Sequence, residues 1–227
     1  MLFGEGSQIN VAGLLASSLN VGDATSGGSS NFSGAGTGSV VNRSKITAAR
    51  GGYVALLGNQ VSNEGIISAQ LGTVAEVGGS GVTLTFSGNR LLHVEVDRST
   101  LGNLAQNRGL IVADGGAVYM TAGARNSILA SSVNNSGVIS AMSVQNHNGT
   151  IVLEGGEQAG EVTVGGALDV SSTDGTGGEV IATAQNVAVA AAAKINASGA
   201  MGGGSIHIGG GWQGGLGLHI GYYSTCE

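Results

Sequence analysis

A chain of 227 residues suits one domain or one stretch of a repeat array, and its 8 basic against 14 acidic residues, net −6, leave no basic patch for nucleic acid. Glycine fills 44 positions and proline none, yet 41% of the residues are hydrophobic and alternate with polar ones, a pattern that a disordered chain has no reason to keep. The one cysteine, Cys226, excludes an internal disulfide, and no run of about 18 apolar residues exists to span a membrane as a helix; residues 1–6 lack the basic start and apolar segment of a signal peptide.

In chain order, residues 1–22 read as strands, with Ile9, Val11, Leu14, Leu15 and Leu19 apolar. The Gly/Ser-rich stretch 26–38 reads as an exposed loop. A repeat then begins, loosely at 41–48 followed by Gly51-Gly52-Tyr53-Val54, and in full at Val61-Ser62-Asn63-Glu64-Gly65-Ile66-Ile67-Ser68-Ala69. Residues 82–97 break it: two alternating strands around Ser87-Gly88-Asn89-Arg90 predict a β-hairpin standing off the main body. Residues 98–106 are expected to hold a short helix, with Asp97 or Ser99 as its cap and Leu101 and Leu104 on one face. The repeat resumes at Asn107-Arg108-Gly109-Leu110-Ile111 and returns at Val133-Asn134-Asn135-Ser136-Gly137-Val138-Ile139. It weakens after 160 and survives as Lys194-Ile195-Asn196-Ala197 with Gly203-Gly204-Ser205-Ile206. The domain is therefore expected over 1–215, with 216–227 an irregular or truncated tail.

Within each copy the anchors recur with a period of two, which is strand rather than helix. Asn-x-Gly and Gly-Gly supply turn residues that tolerate positive φ. Ile46 and Ile67 lie 21 residues apart, too few for a strand–helix–strand crossover. Ile67 and Ile111 lie 44 apart, two repeats or one with an insertion. Short strands joined by corners and stacked about 4.8 Å apart make a parallel β-helix, each turn burying its apolar face against its neighbours. Ile46, Ile67, Ile111 and Ile139 are expected inside it.

The blocks Leu2-Phe3-Gly4-x-Gly6-x-Gln8-Ile9-x-Val11-x-Gly13-Leu14, Gly51-Gly52-Tyr53-Val54-Ala55-Leu56-Leu57-Gly58, Gly65-Ile66-Ile67, Phe86-Ser87-Gly88-Asn89 and Val133-Asn134-Asn135-Ser136-Gly137 occur in that order. Over residues 1–215 they resemble the two-partner secretion (haemagglutination activity) domain of filamentous-haemagglutinin-like exoproteins. The resemblance implies an all-β, right-handed parallel β-helix of the pectin-lyase-like kind. It also implies a secreted or cell-surface parent, an adhesin or a contact-dependent toxin, whose domain is recognised by an outer-membrane transporter and nucleates β-helix folding. Family members carry Asn-Pro-Asn motifs upstream, one of them immediately before Leu-Phe-Gly. With no proline, this chain reads as an internal piece begun just after that motif, with an unpaired first layer and poor export on its own.

A β-helical polysaccharide lyase or hydrolase is the alternative, and it would need carboxylates or basic groups gathered on one face. Asp97, Asp114, Glu154, Glu157, Glu161, Asp169 and Asp174 are instead dispersed; Glu154, Glu157 and Glu161 come closest, beside glycines that place them in turns. His93, His147, His207 and His219 lack ligand spacing, and Asp174-Gly175-Thr176-Gly177-Gly178 is a lone corner rather than a tandem calcium repeat. Gly209-Gly210-Gly211-Trp212-Gln213-Gly214 matches a dinucleotide fingerprint without its helix or its acidic residue. No G-x-S-x-G elbow stands between a strand and a helix. The expectation is a non-enzymatic chain with no catalytic residue, metal or cofactor; a stalk fragment of a contact-dependent toxin and a degraded gene product are the remaining readings. Among the sequons at Asn31, Asn42, Asn134, Asn148 and Asn196, Asn31 in the expected loop is the best candidate for glycosylation, while Asn42, Asn134 and Asn196 read as corner residues.

Overall fold

The computed structural model describes residues 1–25, 28–34, 37–88 and 90–209. Over these the chain winds through seven coils with two excursions. The first coil holds β1 (Leu2–Phe3) and β2 (Gln8–Ser17), and the chain then leaves it through β3 (Asn20–Thr25) and β4 (Ser29–Ser33). The second holds β5 (Ser39–Asn42) and the long β6 (Lys45–Gly58), and the third β7 (Gln60–Asn63), β8 (Ile66–Ser68) and β9 (Thr73–Gly78). The second excursion comes next, as β10 (Gly81–Ser87) and β11 (Arg90–Arg98). The fourth coil is β12 (Asn103–Asn107), β13 (Leu110–Val112) and β14 (Ala117–Ala122); the fifth is β15 (Ser131–Asn135), β16 (Val138–Ser140) and β17 (Thr150–Gly155). The sixth is β18 (Gly160–Val164), β19 (Ala167–Asp169) and β20 (Glu179–Thr183), and the seventh β21 (Asn186–Val189), β22 (Lys194–Asn196) and β23 (Ser205–Ile208). Every coil-to-coil pairing is parallel, so the body is a parallel β-helix.

Register carries the stacking. Ile9, Ile46, Ile67, Ile111, Ile139, Leu168 and Ile195 pair in sequence through all seven coils. The four isoleucines expected inside, Ile46, Ile67, Ile111 and Ile139, are fully buried. Val40, Val61, Ala105, Val133 and Val162 form a second ladder on the facing wall. These branched and small side chains suit a narrow pleated interior, where each rests on its own kind one layer away. Ile67 pairs directly with Ile111, so the 44-residue gap is one coil with an insertion.

The corners differ in their physics from the expectation. Gly65, Gly109 and Gly137 do not hold a left-handed φ, and neither do their asparagines. A Cβ on Gly109 would lie 2.1 Å from the Gly65 carbonyl oxygen, and one on Gly137 would lie 2.2 Å from that of Gly109. Glycine is required because backbones of successive coils touch there. Left-handed φ occurs at the next corner instead, at Gly51 (77°) and Gly115 (70°). Between them Leu71 takes the same conformation (53°) with a side chain, a strained choice.

The asparagines form a buried column. Asn42 Nδ2 donates to Asn63 Oδ1 (2.8 Å), Asn63 to Asn107 (2.9 Å) and Asn107 to Asn135 (2.8 Å). Each Oδ1 of Asn42, Asn63 and Asn107 also accepts the backbone N–H two residues on, closing the corner. Asn135, not Asn134, occupies this column, and Val164 replaces it in the sixth coil. Asn196 pairs with Asp169 in another column.

Three expectations about the excursions are corrected. Residues 29–33 are strand β4, pairing antiparallel with β10, rather than loop. Residues 98–106 contain no helix: the chain turns at Leu101 and Gly102 and enters β12, with Asn103 and Ala105 inward. The hairpin β10–β11 is antiparallel and lies outside the coils, as expected, but it packs on their outer face instead of standing free. With β3 and β4 it makes a four-stranded sheet ordered β11-β10-β4-β3. That sheet lays Phe32, Val82, Leu84, Leu91 and Val96 on Ala55, Leu57, Ala75 and Val77 of the coil's outer face. Tyr53 and Phe86 pack at its margin with their rings tilted by 55°, centroids 5.1 Å apart. The described residues therefore form two apolar cores, one inside the coils and one under this cover. The expected tail at 216–227 lies outside the described residues.

Candidate functional site

Asn31 lies on β4 with its side chain exposed. The Thr83 hydroxyl sits 2.9 Å from Asn31 Oδ1 and 2.7 Å from Asp97 Oδ2, donating to one at a time. It is thus held in a strand rather than in the loop that singled it out, though its amide remains at the surface.

Of Glu154, Glu157 and Glu161, only the first two share a partner. Glu154 is on β17 and Glu161 on β18, in strands instead of turns, and Glu157 alone of the three is in a turn. Arg125 lies 3.6 Å from Glu154 and 3.3 Å from Glu157, while Glu161 contacts the Thr163 hydroxyl at 3.4 Å. This is an ion-paired surface corner. His207 lies 3.7 Å from Glu179 and far along the chain from His93 and His147. Among the described residues no group of three or more His, Cys, Asp and Glu is placed to hold a metal. Of the glycine-rich 209–214, all but Gly209 lies outside the described residues.

What the fold does assemble is a surface at the mouth of the cover. An open cleft of about 890 Å³ runs between the end of β11, the start of β3 and residues 124–127. Glu95, Asp97, Arg98 and Arg125 line it, so it offers both signs of charge. Leu101 and Ile128, 74% and 77% exposed, stand on the neighbouring turns, where Gly102 N–H donates to the Ala130 carbonyl at 3.0 Å. Apolar tips beside a mixed-charge cleft suit contact with another chain better than chemistry on a small molecule.

One residue escaped the sequence reading. Glu76, on β9, is fully buried inside the coil, and neither carboxyl oxygen has a hydrogen-bond partner. Burial pushes its pKa up to about 8. The signal was available: Thr73-Val74-Ala75-Glu76 aligns with Ala117-Val118-Tyr119-Met120, which puts an acid at an apolar anchor.

The comparisons agree with this architecture. The family model described as TPS secretion domain matches residues 1–170. The crystal structure of the HMW1 secretion domain from Haemophilus influenzae superposes with a TM-score of 0.76 at 27% identity, covering 94% of this chain and 55% of that one. The chain thus spans little more than half the length of that solved structure. Comparison with curated proteins returned no match. With coils, cover and corner ladder in place and the family model matching most of its length, the chain belongs to the TPS secretion domain family.

Proposed function

We propose that this domain directs a larger exoprotein out of the cell by binding an outer-membrane partner transporter, and that it then nucleates the β-helix of the downstream chain. The observation that carries this reading is the family match over residues 1–170, which includes the covered coils. Its physics fits the task. Each coil after the first folds on the edge of the one before it, so a chain emerging progressively can add layers without waiting for distant partners. The cover gives the early coils a second core on which such growth can start. The parent is secreted or displayed at the surface, and an adhesin accounts for it better than a polysaccharide lyase or hydrolase, since the carboxylates nearest one another are tied to Arg125. The role proposed is non-enzymatic and needs no cofactor.

The test is export. A signal-peptide fusion of the chain, preceded by an Asn-Pro-Asn-bearing coil and expressed with and without an outer-membrane partner transporter from the same bacterium, should reach the medium only with the transporter, and in larger amount than the unextended chain. Equal release in both strains would contradict the reading. Hydrolysis or β-elimination of pectin, cellulose or chitin fragments by the purified chain would favour the enzyme instead. We further propose Asn31 as a glycan acceptor in the secreted form; an unmodified Asn31 peptide in the mass spectrum of exported protein would remove it.

A further inference from the structure

Strand β9 is buried at every residue from Thr73 to Gly78. Its inward side chains, Val74 and Glu76, face the interior of the third coil, and its outward ones, Ala75 and Val77, belong to the core beneath the antiparallel cover. In register with Glu76 stand Leu56 on β6 and Met120 on β14, so an acid occupies a column of large apolar side chains. Among the described residues no charge compensates it. Across the coil, β7 and β12 bring Val61 and Ala105 to the interior. On β6, Lys45 and Arg50 are exposed, and Tyr53 belongs to the outer core, as does Tyr119 on β14. On β11, which lies on the opposite face of β9, Arg90, His93, Glu95, Asp97 and Arg98 all point to solvent.

We propose that Glu76 is a proton-operated latch on the third coil: the neutral acid lets β9 close between the two cores, and its ionisation releases β9 together with the cover. An ionised carboxylate with no partner cannot stay in an apolar interior, and hydrating it requires β9 to leave its place. Because β9 is a wall of both cores, that movement opens the coil and lifts the β10–β11 hairpin at once.

In the unfolded chain Glu76 ionises above the ordinary value of 4.5, and in the folded one it keeps its proton up to about pH 8. Between these limits the folded state holds one proton more, so stability falls as pH rises. The folded-to-unfolded ratio drops about tenfold per pH unit and levels off outside the window. Native carboxylates held by hydrogen bonds or ion pairs titrate with the opposite sign, which makes the effect separable.

Equilibrium urea unfolding of the 227-residue chain at pH 5.5, 7 and 9, for wild type, Glu76→Gln and Glu76→Met, tests this. Glu76→Met reproduces the residue that β14 places in the same column, so it retains the fold. Wild type should lose about tenfold per unit relative to Glu76→Met between pH 5.5 and 8. Hydrogen–deuterium exchange at pH 9 should show β9–β11 peptides less protected in wild type than in Glu76→Met. An infrared carbonyl band of a protonated acid should be present in wild type at pH 7 and absent from both variants. Parallel stability profiles for wild type and Glu76→Met, equal exchange at pH 9, or no such band in the folded wild type would overturn the latch.

Discussion

The same face of the β-helix lives under two regimes. In the second and third coils its outward residues Ala55, Leu57, Ala75 and Val77 are fully buried beneath the antiparallel sheet. In the fifth and sixth coils the equivalent outward positions are Val152, Glu154, Ile181 and Thr183, all partly exposed. The inner ladders run through both halves with little change. A β-helix thus sets its inner composition coil by coil, whereas its outer composition reports what lies on it. Strands buried on both faces lose the alternation that marks a half-exposed strand, and Val54-Ala55-Leu56-Leu57 shows this in the sequence.

Substitutions can break this comparison, and the inner core should be hit hardest. Ile111→Ala removes the middle of a seven-coil ladder and should destabilise by about 4 kcal/mol, a sum of lost transfer and cavity. Ile195→Ala, in the same column but half-buried in the seventh coil, should cost about 1 kcal/mol, both read by urea unfolding. The contrast on the outer face should be as clear. Leu57→Ala, under the cover, should cost about 3 kcal/mol, and Thr183→Ala in the same column within about 0.5 kcal/mol. Similar losses at Leu57 and Thr183 would mean that the cover contributes no core.

The corner column sharpens the picture. Asn107→Ala leaves Asn63 Nδ2, Asn135 Oδ1 and the Gly109 N–H without their side-chain partner, and should cost about 3 kcal/mol. Asn135→Val, which makes the fifth coil resemble the sixth at Val164, removes the acceptor of the Asn107 amide and two 3.4 Å bonds to the Gly137 and Ala167 carbonyls, and should cost about 1–2 kcal/mol. The smallest effect is a gain. Leu71→Gly relieves a left-handed leucine where Gly51 and Gly115 hold the neighbouring coils, and a rise of up to about 1 kcal/mol is expected in thermal or urea unfolding.

Much of the fold was legible because the inner core repeats. The isoleucine anchors and Asn-x-Gly corners predict a stack, and the 44-residue interval marks where it is interrupted. The cover was legible only in half. Thr83, Leu84 and Phe86 alternate as a hairpin strand should, but Ser29-Ser30-Asn31-Phe32-Ser33 carries a single large apolar residue, Phe32, and takes its strand from pairing with β10. The helix expected over 98–106 failed for a related reason: tertiary pairing of Leu104 and Ala105 with Gln60 and Val61 overrode a local pattern. Glu76 was missed because nothing local marks it; only the register with Leu56 and Met120 shows that it points inward.

The cover turns the early coils into a strand layer with a core on each side. Native-state hydrogen–deuterium exchange at pH 6 measures this strand by strand. The slowest exchange is expected in β6 and β9, slow exchange in β10, and progressively faster exchange through β20, β21 and β23. Uniform protection along the seven coils, or exchange of β9 and β10 ahead of β20, would contradict it.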